Sequence, residues 1–112
     1  MLKWRLTAEA QADMLDIRNF ARQSWGTAQS TKYIKEVREK LDMIAQNPRL
    51  GVDRSADLEE GIRSIPIGSH TIYYEFSSTV LIVLAILHQA MTPDKHLRQR
   101  IDERHAGDPQ PK

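Results

Sequence analysis

Residues 80 to 87 read VLIVLAIL, eight apolar side chains without a break, and the run stops at His88. It is far too short to span a bilayer, which takes about 20 apolar residues. It also lacks the period-two alternation of a half-buried strand, so it predicts a strand with apolar side chains on both faces. A chain built around such a strand must find apolar cover twice. With 112 residues it has the length of one domain with one substantial core.

Two helices can supply the first cover. Leu2, Trp4 and Leu6 alternate with Lys3 and Arg5, which predicts a short strand, and Thr7 is placed to cap a helix that starts just after it. Ala10, Met14, Ile17 and Ala21 lie on one face of that helix, and Trp25-Gly26 ends it. Thr27 is the expected cap of a second helix, with Ile34, Val37, Leu41 and Ile44 on its apolar face and Asn47-Pro48 as its stop. So short a connection makes the pair an antiparallel hairpin. Residues 50 to 61 read as an acidic loop. Three strands come next, at residues 62–67, 70–76 and 79–88, with Pro66 marking the first as an edge. Thr92-Pro93 starts a last, highly charged helix in which Leu97 and Ile101 sit one turn apart. The expectation is therefore an α+β domain over residues 1–106, in the order β-α-α-β-β-β-α. It pairs an antiparallel sheet with a helical hairpin on one face, and residues 107–112 form a disordered tail.

For the second face of the apolar strand the chain offers only the short helix around Leu97 and Ile101. Two readings stay open: that helix covers enough, or the remaining surface is reserved for a protein partner.

Composition excludes several chemistries. The 16 basic and 15 acidic side chains give a formal charge of +1, so no direct nucleic-acid binding is expected from global charge. The absence of cysteine removes disulfides and thiolate chemistry. The four histidines show no metal-ligand spacing, so no metal or other cofactor is expected. The N-terminus interleaves charges with apolar residues and has no signal-peptide core, which leads to the expectation of a cytoplasmic protein without membrane contact. His88, at a strand end, could act as a general base. A base needs an orienting partner and a group that stabilises developing charge. Arg63, His70, Tyr73 and Tyr74 could share its sheet, but alternation sends the two tyrosines to opposite faces. A hydrogen-bonding cap at the end of the sheet is the simpler role for His88.

The order of these signals resembles the ParE-type toxins of the RelE/ParE superfamily. The resemblance rests on a strand leading into Thr7-Ala8-Glu9-Ala10, then Trp25-Gly26, Gln29 and Tyr33. It continues with Asn47-Pro48, Gly51, Gly61-Ile62-Arg63, His70, Tyr73-Tyr74 and Ile86-Leu87-His88 with Met91, and it spans residues 2 to 104. The resemblance implies a type II toxin neutralised by a ParD-like antitoxin in a hetero-oligomer, and acting by poisoning DNA gyrase without being an enzyme. Trp25, Gly26, Tyr33, Arg63, Tyr73, His88 and Met91 are then mainly structural. RelE-like relatives cut messenger RNA on the ribosome, and in that alternative Arg63, His70 and His88 are the catalytic candidates. A third alternative is an inactive toxin that only binds its antitoxin. RNA cleavage by 2′-hydroxyl attack needs cations on the scissile phosphate, whereas Arg63 is the one Lys or Arg between Arg54 and Lys95. That shortage favours the gyrase branch. Lys95, Arg98 and Arg100 on the last helix are the expected contacts to the target.

Overall fold

The structure, a computed structural model, describes residues 1–107, with side chains as far as Arg104. In chain order the elements are β1 (Lys3–Leu6), α1 (Ala8–Trp25), α2 (Thr27–Gln46) and a single 3-10 turn (Pro48–Leu50). They continue with β2 (Val52–Asp53), β3 (Arg63–Ile67), β4 (His70–Phe76), β5 (Val80–His88) and α3 (Pro93–Gly107). Gly107 is the last residue of α3. The rest of the expected tail, residues 108–112, lies outside the described residues.

Local chemistry sets the ends of the hairpin. Thr7 Oγ1 accepts the Ala10 N–H at 3.1 Å and caps α1. Gly26, at φ 89°, closes α1 and opens α2 as a single residue, a conformation that a residue with a Cβ would adopt only under strain. Gly26, and not the expected Thr27, therefore occupies the N-cap position of α2, with no side-chain cap. One residue between two helices leaves no room for a separate capping side chain. Ser30 Oγ donates to Arg18 O at 3.1 Å and ties the helices together near the turn.

The sheet has five strands in the order β1-β5-β4-β3-β2. The three consecutive strands β3, β4 and β5 form the expected antiparallel meander, but β1 pairs with β5 in parallel, from Lys3 opposite Val80 to Leu6 opposite Val83. The sheet is therefore mixed, which corrects the expectation of an antiparallel one. Alternation along Leu2 to Leu6 identifies a strand; it carries nothing about which strand is its neighbour or which way that neighbour runs. A further two-residue strand, β2, lies inside the segment expected to be loop and covers only Arg63 and Ser64 of β3. Pro66 lies beyond that cover, on the part of β3 that is an edge, where a missing N–H costs no ladder bond.

Both faces of β5 are covered. Leu81, Val83 and Ile86 pack with Met14, Val37, Leu41, Ile72 and Tyr74 under the hairpin. Leu84, Ala85 and Leu87 pack with Leu58, Ile62, Tyr73, Leu97 and Ile101 under α3 and the preceding loop. Leu97 is fully buried and Ile101 nearly so. Of the two readings left open, cover from within the chain is the one realised, and β5 has no spare face. The result is three layers, hairpin, sheet and a partial layer of α3, in place of the two expected. A bulge explains the pattern. Tyr73 faces Ala85 while Tyr74 faces Val83, so Leu84 is an extra residue in β5. It puts Leu84 and Ala85 on the same face and resets the alternation.

Ile86→Ala removes contacts from the hairpin side and Leu97→Ala from the α3 side. Each is expected to cost about 2–5 kcal/mol in urea denaturation. A loss below about 1 kcal/mol for Leu97→Ala would mean that α3 does not close the second face.

Candidate functional site

Four of the residues singled out in the sequence converge at the end of the sheet where β5 finishes. Trp25 is the last residue of α1, and Gly26 turns the chain so that Tyr33, two turns into α2, faces it with ring centroids 6.0 Å apart, edge to face. Tyr33 stands 5.7 Å from the His70 ring, and His70 stands 5.3 Å from His88, edge to face. His70 and His88 are cross-strand partners in the β4–β5 ladder, which is what brings them together. Gly68, at φ 56°, makes the β3–β4 turn, and a Cβ there would lie 2.6 Å from the Tyr33 ring. Glycine is required on both counts.

The hydrogen bonds assign roles to these groups. Tyr33 Oη donates to Ile67 O at 2.9 Å and lies 2.8 Å from His70 Nδ1. A hydroxyl has one proton, so with that proton on Ile67 O the His70 Nδ1–H donates to Tyr33. His88 Nδ1 accepts the Ala90 N–H at 3.1 Å, and Met91 N donates to His88 O at 2.9 Å. The His88 side chain and backbone thus hold the turn that leads out of β5. Met91 is itself largely exposed. Burial pushes the His70 pKa down, the neighbouring His88 adds to that shift, and Asp13 opposes it.

Arg63 is not part of this cluster. It pairs with Tyr74, four residues along β4 from His70, a separation of about 13 Å along a strand. Its Nη1 donates to Gly51 O at 2.7 Å and to Arg49 O at 3.3 Å. Tyr74 Oη accepts Gly51 N at 3.0 Å and donates to Pro48 O at 2.6 Å, and burial raises its pKa. Arg63, Gly51 and Tyr74 together fasten the link from α2 to the sheet. Tyr73 lies on the opposite face, with the Arg54 guanidinium 5.5 Å above its ring. The three residues named as candidates for RNA cleavage are therefore not brought together: two histidines sit at one end of the sheet and the cation pairs four residues further along β4. Among the described residues no group of His, Asp and Glu could hold a metal ion. No helix of the described residues is long and apolar enough to cross a membrane.

The α3 cations differ from one another. Lys95 is exposed and makes no ion pair among the described residues. Arg98 donates to Leu58 O and pairs with Glu59 and Asp94. Arg100 forms a two-pronged pair with Asp13, at 2.7 Å and 3.1 Å, and also donates to Leu84 O at 3.1 Å. Asp13 in turn accepts the Ile86 N–H at 3.0 Å. These two side chains satisfy the backbone of β5 just past the point where its pairing with β1 stops. Hydrogen bonds to Asp13 hold the Arg100 guanidinium protonated.

Sequence reasoning missed one surface. Trp4 and Leu6 of β1, Met14 and Leu15 of α1 and Ile34 of α2 line an open groove of about 300 Å³, with Arg18 and Arg38 also on its walls. Trp4 and Ile34 read as core from periodicity, yet both are only half-buried. The available signal was Leu15, an apolar residue off the Ala10-Met14-Ile17 face and 48% exposed.

The family model described as ParE toxin of type II toxin-antitoxin system, parDE, matches residues 4–93. A curated relative, Toxin ParE1 of Caulobacter vibrioides, is 35% identical over 97 residues, covering 87% of this chain and 99% of that protein. Two solved structures share the fold at 18% identity. One is from the chromosomal ParDE TA system of P. aeruginosa, with a TM-score of 0.67 over 79% of this chain and 96% of that one. The other is the toxin–antitoxin complex RelBE2 of Mycobacterium tuberculosis, with a TM-score of 0.59 over 78% and 96%.

Arg100→Ala should lower stability by about 1.5–3 kcal/mol, the range for hydrogen bonds to a charged group, whereas Lys95→Ala should stay within about 0.5 kcal/mol. Chemical denaturation of the two variants checks the contrast. His70 has a lower pKa folded than unfolded, so between those two values the unfolded chain binds more protons. Its stabilising share is present above about pH 6.5 and lost as pH falls through the folded value. Denaturation at about pH 7.5 and about pH 5 should show a drop in stability for the native sequence and a smaller drop for His70→Gln.

Proposed function

The chain belongs to the ParE toxin family of type II toxin–antitoxin systems, and from that premise we propose that it acts by binding, directed at DNA gyrase and held inactive by an antitoxin. The observation that carries this reading is the separation of Arg63 from His70 and His88 on the sheet. A phosphodiester-cleaving site needs an acid, a base and a cation around one phosphate. Here the cation is committed to backbone carbonyls and the imidazoles are committed to a tyrosine and a turn. Binding requires no such assembly.

The groove between β1 and the hairpin is the proposed seat for the antitoxin. Its floor is apolar and Arg18 and Arg38 flank it, which suits an amphipathic segment with acidic side chains at its margins. β1 lies at the end of the sheet, so an extended segment can also add beside it. On α3, Lys95 is the cation free to meet the target, with Arg98 beside it on the exposed side and Arg100 occupied by Asp13.

The test is a supercoiling reaction with purified DNA gyrase, relaxed plasmid and ATP. The expected result is loss of supercoiling with accumulation of linear plasmid, weakened by Lys95→Glu and reversed by the co-expressed antitoxin. Leu15→Asp, at an exposed groove position, should leave gyrase inhibition intact and abolish that reversal. Normal supercoiling in the presence of folded protein, together with messenger cleavage on purified ribosomes, would establish the ribonuclease alternative.

A further inference from the structure

The turn end of the helical hairpin carries charge that the rest of the molecule does not balance. From Ile17 to Lys35 the chain has four cations, Arg18, Arg22, Lys32 and Lys35, and no acid. Of the 16 cations and 15 acids in the chain, that leaves twelve cations against fifteen acids elsewhere. All four side chains are exposed, and none takes part in an ion pair among the described residues. The nearly neutral whole therefore conceals a locally positive surface.

The same end exposes aromatic rings. Phe20 is 60% and Trp25 50% exposed, with centroids 6.3 Å apart, edge to face. Trp25 continues onto Tyr33, and beside them a shallow cleft of about 620 Å³ is lined by Trp25, Gln29, Tyr33, Gly68 and Ser69. Exposed aromatic surface of this kind marks a binding region. An edge-to-face pair covers only one of its four ring faces, and an exposed ring face takes planar groups. The polar side chains set among the cations include the amides of Asn19, Gln23 and Gln29 beside the hydroxyls of Ser24, Thr27 and Thr31, and all of these both donate and accept hydrogen bonds.

We propose that the turn end of the hairpin binds single-stranded nucleic acid, with phosphates on Arg22 and Lys32 and bases against Phe20, Trp25 and the adjoining cleft. Cations that track a backbone beside aromatic stacking platforms are the general means of holding a single strand without reading its sequence. A duplex keeps its base faces stacked inside and could use only the cations. An acidic peptide would match the charge but has no planar groups in register with the rings. The surface adjoins the groove proposed for the antitoxin and shares Arg18 with it, and binding there requires neither antitoxin nor gyrase.

The test uses the full chain and a fluorescein-labelled oligothymidylate of about 20 nucleotides, followed by anisotropy over a salt titration. Binding is expected with a dissociation constant of about 1–100 µM near physiological salt. Arg22→Glu with Lys32→Glu should weaken it at least about tenfold and flatten the log–log salt slope by about 1.4, the share of two phosphates. Phe20→Ala should weaken it about fivefold. Quenching of tryptophan fluorescence on binding should vanish in Trp25→Phe, which separates Trp25 from Trp4. A thermal melt of each variant excludes loss of fold as the cause. Absence of binding at about 50 mM salt overturns the proposal, as does binding that survives the double charge reversal. Equal competition by a polyglutamate of matched charge, or tighter binding of a duplex of the same length, overturns it as well. Either would assign the surface to an acidic protein or to charge alone.

Discussion

Leu84 and Ala85 point to the same face of the sheet, and the far side of the molecule is arranged around that break in alternation. Without the bulge, the residues after Leu84 would exchange faces, sending Ile86 away from the hairpin and Leu87 towards it. The bulge and the end of the β1 pairing leave Leu84 C=O and Ile86 N–H facing away from the ladder, and the Asp13–Arg100 pair meets both. One ion pair therefore joins α1, β5 and α3, and it does so by satisfying backbone groups that would be costly to leave unpaired.

That arrangement also settles what α3 is. Seven of the fifteen residues of the helix are Asp, Glu, Lys or Arg, yet Leu97 and Ile101 are buried and its three arginines bond to three different parts of the fold: Arg98 to Leu58 and Glu59, Arg100 to Asp13, Arg104 to Glu75. Cover comes from two apolar side chains, and position comes from the guanidinium groups. A long, flexible cation can lay its stem on apolar surface while its head reaches a distant acceptor. This is how a helix with so little apolar content closes one face of a strand that is apolar throughout.

Function separates spatially along the same frame. The His70–His88–Tyr33 cluster at one end of the sheet and the Arg63–Gly51–Tyr74 anchor at the other are both built from hydrogen bonds within the protein. Neither brings a histidine and Arg63 together. Among the described residues, the surfaces open to partners include the groove between β1 and the hairpin, apolar with flanking arginines, and the hairpin's turn end, aromatic and basic. The helices contribute to both, β1 adds Trp4 and Leu6 to the groove, and α3 exposes Lys95 elsewhere.

Much of the fold was legible in the sequence because local rules decided it. The face Ala10-Met14-Ile17-Ala21, the Thr7 cap, the stop at Trp25-Gly26 and the turns around Gly68 and Ser77 each depend on a few neighbouring residues. The need of residues 80 to 87 for apolar cover on both faces was legible too, but not whether the chain itself or a partner would supply the second cover. Non-local contacts decided the rest. That β1 lies parallel to β5 is a pairing between residues some 77 positions apart, and no local pattern encodes direction. That Arg100 is a structural clip depends on Asp13, which sits 87 residues from it, while Lys95 makes no ion pair among the described residues. The bulge at Leu84, which fixes the face each apolar residue of β5 occupies, is invisible in a run where every residue is apolar. Sequence determined the three helices, the four longer strands and how much surface had to be buried. Tertiary structure alone decided which side chains remained outside, because exposure depends on what the distant parts of the chain bring to cover them.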